Sequence, residues 1–271
     1  MRIAIVGNGI VGGALRRWFE GNNQPCLVWD PPQNQHDRID NSVDVAFISV
    51  PVPTKGFKQD LSMLHDAIRA ASAAKKIVVR STVVPGTCDS LSAQYRRAIF
   101  HMPEFLTERT ADADMEAQDV LIGIPDKFRE DENWWIYFAE VFLRQKRIRW
   151  ASALECEMAK YAHNVFGALK VTYFNAVYSL CEKNKIRFDV VKNLMLASGY
   201  INDVHTQVPG PDGRFGYGGK CFPKDLSAFI GFAGADPIHI MLNNMLCLNR
   251  YYRGVDTEIE SEKKPLEVSN G

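Results

Sequence analysis

The chain has 271 residues, of which 46% are hydrophobic and 24% charged, and its 32 basic and 32 acidic side chains cancel to a formal net charge of +0. Such an ordinary globular composition offers no global field for nucleic acid or an anionic membrane surface, so we predict neither as a partner. The 6 cysteines are scattered and no apolar run approaches the roughly 20 residues of a membrane span, which predicts a cytoplasmic protein with reduced thiols and no metal site.

The first half of the chain alternates β-branched runs with amphipathic segments. Strands are predicted at residues 2–6, 26–29, 44–50, 76–80, 98–101, 119–123 and 147–150, and helices at 10–20, 61–74 and 128–143. The N-terminal run passes directly into a glycine loop, which is typical of a strand and not of a signal peptide. Because this alternation is typical of a parallel sheet covered on both faces, we predict a Rossmann-like, doubly wound α/β domain over residues 1–151.

From residue 152 the pattern becomes helical. A long helix is predicted at 155–182, then a shorter one at 188–197, a glycine-rich loop at 209–219 and a last helical region at 226–252. We therefore predict an all-helical domain over residues 152–252 and a disordered tail over residues 253–271. The long helix carries more apolar surface than one small helical domain can cover, which predicts a homodimer through this domain.

A glycine loop, Gly7-Asn-Gly9-Ile10-Val11-Gly12, follows the first strand and opens the first predicted helix. Its glycines permit a tight turn and the close approach of a pyrophosphate to a helix N-terminus. Asp30 ends the next strand, where a carboxylate can bind the adenosine ribose and repel a 2′-phosphate. We predict NAD as the cofactor, although a turn without a ligand remains an alternative, since Asp30 precedes two prolines.

Cys221 follows a second glycine-rich segment and precedes Pro223, which suits the first turn of a helix. A helix N-terminus and two lysines, Lys220 and Lys224, predict a lowered pKa and more thiolate for this cysteine. Four other cysteines are interpreted as inert core residues: Cys26, Cys156, Cys181 and Cys247.

The segment Gly218-Gly219-Lys-Cys221-Phe-Pro-Lys-Asp225 resembles the active-cysteine motif of the nucleotide-sugar (UDP-glucose/GDP-mannose) 6-dehydrogenases. Four further segments fit the same family in the same order along the chain: residues 50–54, 81–87 and 103–108, and Glu157-x-x-Lys160-x-x-x-Asn164 with Asn175 beyond it. The resemblance extends from residue 1 to about residue 250. It implies a double oxidation of a sugar primary alcohol to a carboxylate, with two NAD per turnover, in polysaccharide biosynthesis.

The resemblance also implies roles for individual residues. Lys160, or a water held by Thr82, Glu108 and Asp225, would take the hydroxyl proton. Cys221 would then form a thiohemiacetal and a thioester, with Lys160 and Asn164 stabilising the oxyanion. The same water-holding group would assist hydrolysis. The resemblance implies further substrate contacts at Glu104, at the main chain of Phe105 and Leu106, and at Gly218 and Gly219. It implies further cofactor contacts at Val50, Pro51 and Thr82.

Several alternatives remain open. On their own, Lys160 and Asn164 fit a solvated helix face, Glu104 and Glu108 fit a surface loop, and His163 is left out because adjacent helical residues face apart. The family has a third, C-terminal Rossmann-type domain, so the sequence predicts a shortened member lacking it. Three alternatives are open for such a chain. It would be an active minimal enzyme, it would need a partner chain to complete the pocket, or it would bind NAD without turnover.

A second family offers another interpretation. The β-hydroxyacid dehydrogenases share a two-domain plan and a Lys-x-x-x-Asn pair, but they perform one oxidation and need no cysteine nucleophile. The segment around Cys221 therefore speaks against that family.

Overall fold

A computed structural model of the protein describes residues 1–142 and 147–255, without the side chains of residues 129–132, 139 and 141–142. The strands within this part are β1 (Ile3–Val6), β2 (Cys26–Asp30), β3 (Gln35–His36), β4 (Val45–Ile48), β5 (Thr54–Lys55), β6 (Lys58–Gln59), β7 (Lys76–Val79), β8 (Ile99–His101), β9 (Val120–Ile124) and β10 (Ile148–Ser152). The α-helices are α1 (Ile10–Gly21), α2 (Ser62–Ala70), α3 (Thr87–Tyr95), α4 (Ala111–Ala117), α5 (Glu132–Phe142), α6 (Ala153–Lys183), α7 (Phe188–Leu196), α8 (Phe222–Ala233) and α9 (Ile238–Tyr252).

Eight of the strands form one sheet in the order β10-β9-β8-β7-β4-β1-β2-β3. Its pairings are parallel except for β2 with β3 and β8 with β9. Side chains alternate between two cores, because successive strand residues point to opposite faces. Ile3 and Ile5 pack with residues of α1, α4 and α5, whereas Ala4 and Val6 pack with residues of α2 and α3. The predicted doubly wound α/β fold is confirmed.

The predicted elements correspond closely to the observed ones. All seven predicted strands are present with ends shifted by at most two residues, and the helix predicted at 155–182 is α6. Helices α3 and α4 and the short strands β3, β5 and β6 were not predicted. The helical region predicted at 226–252 is two helices, interrupted between α8 and α9 where Gly234 adopts φ +54°. Residue 143 and residues 256–271 of the predicted tail lie outside the described residues.

Helix α6 begins with a capping box that the sequence contains as Ser152-Ala-Leu-Glu155. The Ser152 hydroxyl accepts the Glu155 N–H at 3.2 Å, and the Glu155 carboxylate accepts the Ser152 N–H at 2.8 Å. Each side chain thus satisfies one main-chain donor that a helix N-terminus leaves without a partner. The start of the long helix is therefore encoded locally.

The chain separates into two compact units. Unit 1 comprises residues 1–166 and 220–236, with the large sheet, the first part of α6 and helix α8. Unit 2 comprises residues 167–219 and the chain from residue 237 onward. The predicted boundary at residue 151 stays a prediction. Over the described residues, none of the helices has the length and apolar character to cross a lipid bilayer.

Unit 2 holds its glycine-rich loop with main-chain hydrogen bonds to three polar side chains. Asn175 accepts the Gly216 N–H at 2.9 Å, and Asn249 accepts the Tyr217 N–H at 2.7 Å. Arg253 donates to the carbonyl oxygens of Gly216 and Tyr217, both at 3.0 Å. A Cβ at Gly216, which has φ +71°, would lie 2.5 Å from Asn249 Oδ1, so the loop requires glycine there.

Candidate active site

The glycine loop leads from β1 into α1. Gly7 has φ +86°, and a Cβ there would lie 2.6 Å from the Ser49 carbonyl oxygen, while a Cβ on Gly12 would lie 1.9 Å from the Gly7 carbonyl oxygen. Both positions require glycine, because backbone occupies the space of a side chain. A Cβ on Gly9 would meet nothing within 4 Å. This open space, at a helix N-terminus whose first N–H groups from Ile10 onward have no intrahelical acceptors, fits a pyrophosphate.

Asp30 lies beside the glycine loop at the end of β2 and is 8% exposed. Its Oδ2 accepts the Asn8 N–H at 2.6 Å and the Gln33 side-chain amide at 2.8 Å. Its Oδ1 accepts no hydrogen bond from a described residue. The carboxylate is thus fixed against the loop, with one oxygen left for a ribose hydroxyl.

The other predicted cofactor residues lie at the same edge of the sheet. Val50 and Pro51 follow β4, and Thr82 follows β7. Because β2, β1, β4 and β7 are parallel neighbours, their carboxyl ends meet at one edge, where open α/β sheets bind nucleotides. The Ser81 hydroxyl donates to the Val50 carbonyl at 2.7 Å and joins two of these loops.

One face of α6 is polar yet buried. Glu157, Lys160, Tyr161 and Asn164 follow the i, i+3, i+4, i+7 spacing that places side chains on one side of a helix. Their exposed fractions are 0%, 5%, 0% and 5%. The alternative interpretation of Lys160 and Asn164 as part of a solvated face is therefore wrong.

Lys160 is paired with Glu104 in the loop after β8. Its Nζ donates to the Glu104 carbonyl oxygen at 2.5 Å and lies 3.2 Å from Glu104 Oε1. The other carboxylate oxygen of Glu104 accepts the Leu106 N–H at 2.6 Å. Glu108, by contrast, is exposed in a turn and has no hydrogen bond or ion pair to a residue that the structure describes. Glu104 therefore belongs with Lys160, and the role of Glu108 in holding water stays a prediction.

Asn164 connects α6 to the start of α8. Its Nδ2 donates to Asp225 Oδ2 at 2.7 Å, and Lys224 bonds the other oxygen of this carboxylate. Asp225 is 1% exposed, and its N–H donates to the Cys221 carbonyl at 2.9 Å. Cys221 is the N-cap of α8 and Pro223 lies in its first turn, as predicted. The helix start thus places a thiol and a buried carboxylate one turn apart.

The predicted lowering of the Cys221 pKa is wrong. Cys221 is an exposed residue, but burial by the protein around its thiol raises its pKa above the ordinary value of 9.0, and Asp225 adds to the rise. Lys224 and Lys160 lower the pKa, while Glu104 raises it. Desolvation and the nearby carboxylates outweigh the two ammonium groups. The same effects show that Cys221 lies within electrostatic reach of the Lys160 and Asp225 groups.

The remaining cysteines differ in their surroundings. Cys156 and Cys181 are buried as predicted, and Cys26 is half-buried. Burial raises the pKa of Cys26 and of Cys156 to about 12, which makes both thiols unreactive. Cys247 is exposed on α9, so its interpretation as a core residue is wrong.

Gln59 is a site residue that the sequence did not indicate. Its amide nitrogen donates to the Tyr161 hydroxyl at 2.7 Å and to the Thr82 carbonyl at 3.1 Å, and its oxygen accepts the Val84 N–H at 2.8 Å. It therefore joins the loop after β7 to α6. It lies in a strand of two residues, a length without a periodicity from which to predict it.

His163 was excluded from the site, but its side chain contacts two predicted site residues. Its Nδ1 lies 3.1 Å from Asn164 Oδ1, and its ring centroid is 4.6 Å from that of Phe105. Adjacent helical residues point about 100° apart, but the imidazole is long enough to reach its neighbour's amide. Gln118 bonds both the carbonyl and the N–H of Phe105, at 2.6 and 3.1 Å. These main-chain groups, like the Leu106 N–H, already have protein partners, so their contact with substrate stays a prediction.

Gly218 and Gly219 belong to unit 2. A Cβ on Gly218 would lie 2.5 Å from the Arg253 guanidinium, and Gly219 has φ +76°. Both positions therefore have a local reason to be glycine. Their predicted contacts with substrate stay predictions.

Two models of the UDP-glucose/GDP-mannose dehydrogenase family match the chain, the NAD-binding domain over residues 31–140 and the central domain over residues 154–249. UDP-glucose 6-dehydrogenase from Rhizobium meliloti is 31% identical over 69% of this chain and 45% of its own length. The Rickettsia bellii enzyme of the same name is 32% identical over 84% of this chain and 62% of its own length. The chain thus spans about half the length of the curated relatives it matches.

Solved structures show the same fold. A UDP-glucose dehydrogenase from Pyrobaculum islandicum superposes with a TM-score of 0.77 at 23% identity, over 92% of this chain and 68% of that one. A 3-hydroxyisobutyrate dehydrogenase from Mycobacterium tuberculosis superposes with a TM-score of 0.69 at 17% identity, over 93% of this chain and 95% of that one.

Proposed function

Because this chain belongs to the UDP-glucose/GDP-mannose dehydrogenase family and contains its NAD-binding domain, we propose that it oxidises the primary alcohol of a UDP-glucose-like nucleotide sugar to the carboxylate. The observation that carries this proposal is the buried group of Lys160, Asn164 and Asp225 beside Cys221. A single oxidation needs no nucleophilic cysteine, whereas a thiol can carry the aldehyde to the acid through a thioester. The group supplies both a thiol and donors for an oxyanion.

NAD⁺, when bound, supplies the hydride acceptor for each oxidation. The open N-terminus of α1 would hold its pyrophosphate, and the free Oδ1 of Asp30 would accept a hydrogen bond from its adenosine ribose. The loops after β4 and β7 place Val50, Pro51 and Thr82 at the same edge of the sheet. These residues would therefore bind the cofactor at that edge.

In the first step the alcohol loses a proton and a hydride. Lys160 Nζ donates one hydrogen bond to the Glu104 carbonyl oxygen and one to its carboxylate. This favours Lys160 as the stabiliser of the alkoxide, and a water held by Thr82, Glu108 and Asp225 as the acceptor of the proton. The product is the aldehyde.

In the second step the Cys221 thiol releases its proton to solvent and the thiolate forms a carbon–sulfur bond with the aldehyde carbon. Asn164 and Lys160 donate to the oxygen that becomes negative. Loss of hydride from this thiohemiacetal leaves a thioester. Water then attacks the carbonyl carbon, the carbon–sulfur bond breaks, and carboxylate and thiol are released.

The decisive experiment incubates the purified chain with NAD⁺ and UDP-glucose and follows NADH by absorbance. We expect two NADH per sugar oxidised, no acid product from Cys221→Ser, and full activity from Cys247→Ser, which removes the other exposed thiol. Activity of Cys221→Ser equal to that of the control would refute the cysteine mechanism. NAD binding without turnover on any nucleotide sugar would favour a chain that needs a partner or only binds the cofactor.

A second candidate function is supported by the fold match with 3-hydroxyisobutyrate dehydrogenase, which covers nearly the full length of both chains. The corresponding reaction is one oxidation of a β-hydroxyacid. The same assay with a panel of hydroxyacids separates the two. Turnover of a hydroxyacid that does not change in Cys221→Ser would favour this candidate.

The oligomeric state is also a proposal. Tyr173 and Leu180 lie seven residues apart on α6, are 54% and 61% exposed, and share one stripe of the helix. Tyr251 on α9 is 64% exposed. Large apolar side chains in such number support a homodimer through helices of unit 2. Light scattering at micromolar concentration tests this, and a monomer refutes it.

The cellular setting is proposed on chemical grounds. All six cysteines are free thiols, which fits a reducing compartment such as the cytoplasm. There the sugar acid would serve polysaccharide biosynthesis. Fractionation of the source cells tests the location.

A further inference from the structure

Three metal-ligating side chains meet inside unit 1, away from the open glycine loop. Cys88 lies in the first turn of α3, His101 ends β8, and Glu157 belongs to the first part of α6. Each is 0% exposed. One ligand atom from each, a sulfur, a nitrogen and an oxygen, lies within 4.8 Å of the other two. Three separate elements thus converge on one buried point.

His101 is the unusual member of this group. Neither of its ring nitrogens has a hydrogen-bond partner among the residues that the structure describes. The ring lies beside the Val79 main chain, and a neutral imidazole has one nitrogen lone pair that can bind a metal ion. Buried polar groups without partners are rare in native proteins, so the ring nitrogens of His101 make it a candidate ligand.

Glu157 is already oriented for ligation. Its two oxygens accept the N–H groups of Gly86 and Cys88 at 2.6 and 2.7 Å. These bonds fix the carboxylate, and the Cys88 side chain is also close enough to hydrogen-bond to it. Hydrogen bonds of this kind are what hold ligating carboxylates in place in metal sites.

We propose that Cys88, His101 and Glu157 bind one Zn²⁺ ion in the interior of unit 1. Zinc is the divalent metal that accepts thiolate, imidazole and carboxylate together. The Cys88 thiol gives its proton to solvent on binding, Glu157 binds as the carboxylate, and no electron is transferred. The two negative ligands balance the double charge of the ion, so the buried site is neutral.

Neighbouring cations do not prevent this binding. Arg80 and Lys160 both interact electrostatically with His101. Glu104 is salt-bridged to Lys160 and also interacts electrostatically with Arg80, so its one negative charge offsets part of the two positive charges. The ion would tie α3 and β8 to α6 one turn before Lys160, and would therefore stabilise the fold around this side chain. The sequence alone predicts no such site, because the three ligands are 13 to 69 residues apart along the chain.

The test is the metal content of the purified full chain, followed by refolding with Co²⁺ in place of Zn²⁺. We expect one metal ion per chain and a thiolate-to-cobalt charge-transfer band. Cys88→Ser and His101→Gln should lose both. Cys156→Ser, which removes a buried thiol next to Glu157, and Cys221→Ser, which removes the exposed thiol of α8, should keep both.

The thermal stability of these variants is a second test of metal binding. Chelation during refolding should lower the Tm of the native sequence to that of Cys88→Ser, and should leave Cys88→Ser unchanged. If Cys88→Ser does not fold, the Tm of the native sequence refolded with Zn²⁺ is compared with its Tm after refolding without Zn²⁺. We expect the higher Tm with Zn²⁺. A native chain that takes up neither ion, or a cobalt band that disappears with Cys221→Ser and persists in Cys88→Ser, overturns the proposal.

Discussion

The side-chain amide of Asn164 donates to the carboxylate of Asp225 at 2.7 Å, and so joins the middle of α6 to the first turn of α8. Both residues are almost fully buried. The bond sets the distance between the face that carries Lys160 and the helix start that carries Cys221. Its partners are 61 residues apart, and they come together because the first part of α6 and the whole of α8 belong to unit 1.

Replacing Asn164 with alanine should destabilise the protein. The change leaves Asp225 Oδ2 buried without its donor, which costs about 1–3 kcal/mol. Urea denaturation would measure this loss in the free energy of unfolding. The control is Ala162→Ser, an exposed change on the same helix, for which we expect a difference within about 0.5 kcal/mol. Equal stability of Asn164→Ala and the control would contradict a structural role for the bond.

The buried ion pair of Lys160 and Glu104 predicts strong coupling between the two side chains. Their exposed fractions are only 6% and 10%, so Lys160→Met leaves a buried carboxylate without its ion-pair partner and should cost about 3–5 kcal/mol of stability. Adding Glu104→Gln should restore most of this loss. A double-mutant cycle, with the free energy of unfolding measured by urea denaturation, tests this coupling. Additive effects of the two substitutions on that free energy would exclude it.

The raised pKa of Cys221 predicts slow alkylation at neutral pH. Because only the thiolate reacts, the rate with iodoacetamide should keep rising with pH beyond 9.0. Asp225→Asn removes a charge that raises the pKa and should speed labelling at pH 8, whereas Lys224→Ala should slow it. Intact-mass measurements in a Cys247→Ser background remove the second exposed thiol. A labelling midpoint near pH 7 would show that the pKa is lowered.

Two glycines of the cofactor loop should respond differently to alanine. At Gly12 the new Cβ would lie 1.9 Å from the Gly7 carbonyl oxygen, so the loop must move, at a cost of about 1–3 kcal/mol. At Gly9 the Cβ meets nothing within 4 Å, and stability should change by less than about 0.5 kcal/mol. Both variants should bind NAD at least about tenfold more weakly, because phosphate must approach this backbone closely.

Thermal unfolding and titration calorimetry with NAD measure the two effects separately. The Gly9→Ala variant is the informative one, since its fold should remain intact while its cofactor affinity falls. Unchanged affinity in this variant would place the pyrophosphate elsewhere.

Much of this protein is determined by its sequence alone, because the signals are local. Strands β1 and β4 are runs of buried apolar residues, and the glycine loop follows β1 directly. Helix α6 begins at a capping box, and α8 begins with a proline in its first turn. These patterns, together with the motif around Cys221, were enough to predict the fold class, the cofactor edge and the family.

The tertiary structure decided what depends on residues distant in sequence. It separated Glu104 from Glu108 by pairing one of them with Lys160. It brought Gln59 and His163 into the site, and it raised the Cys221 pKa where helix position and nearby lysines predict a decrease. Desolvation and hydrogen bonding depend on which atoms surround a group after folding. No spacing along the chain encodes that environment, so only the packed structure could supply it.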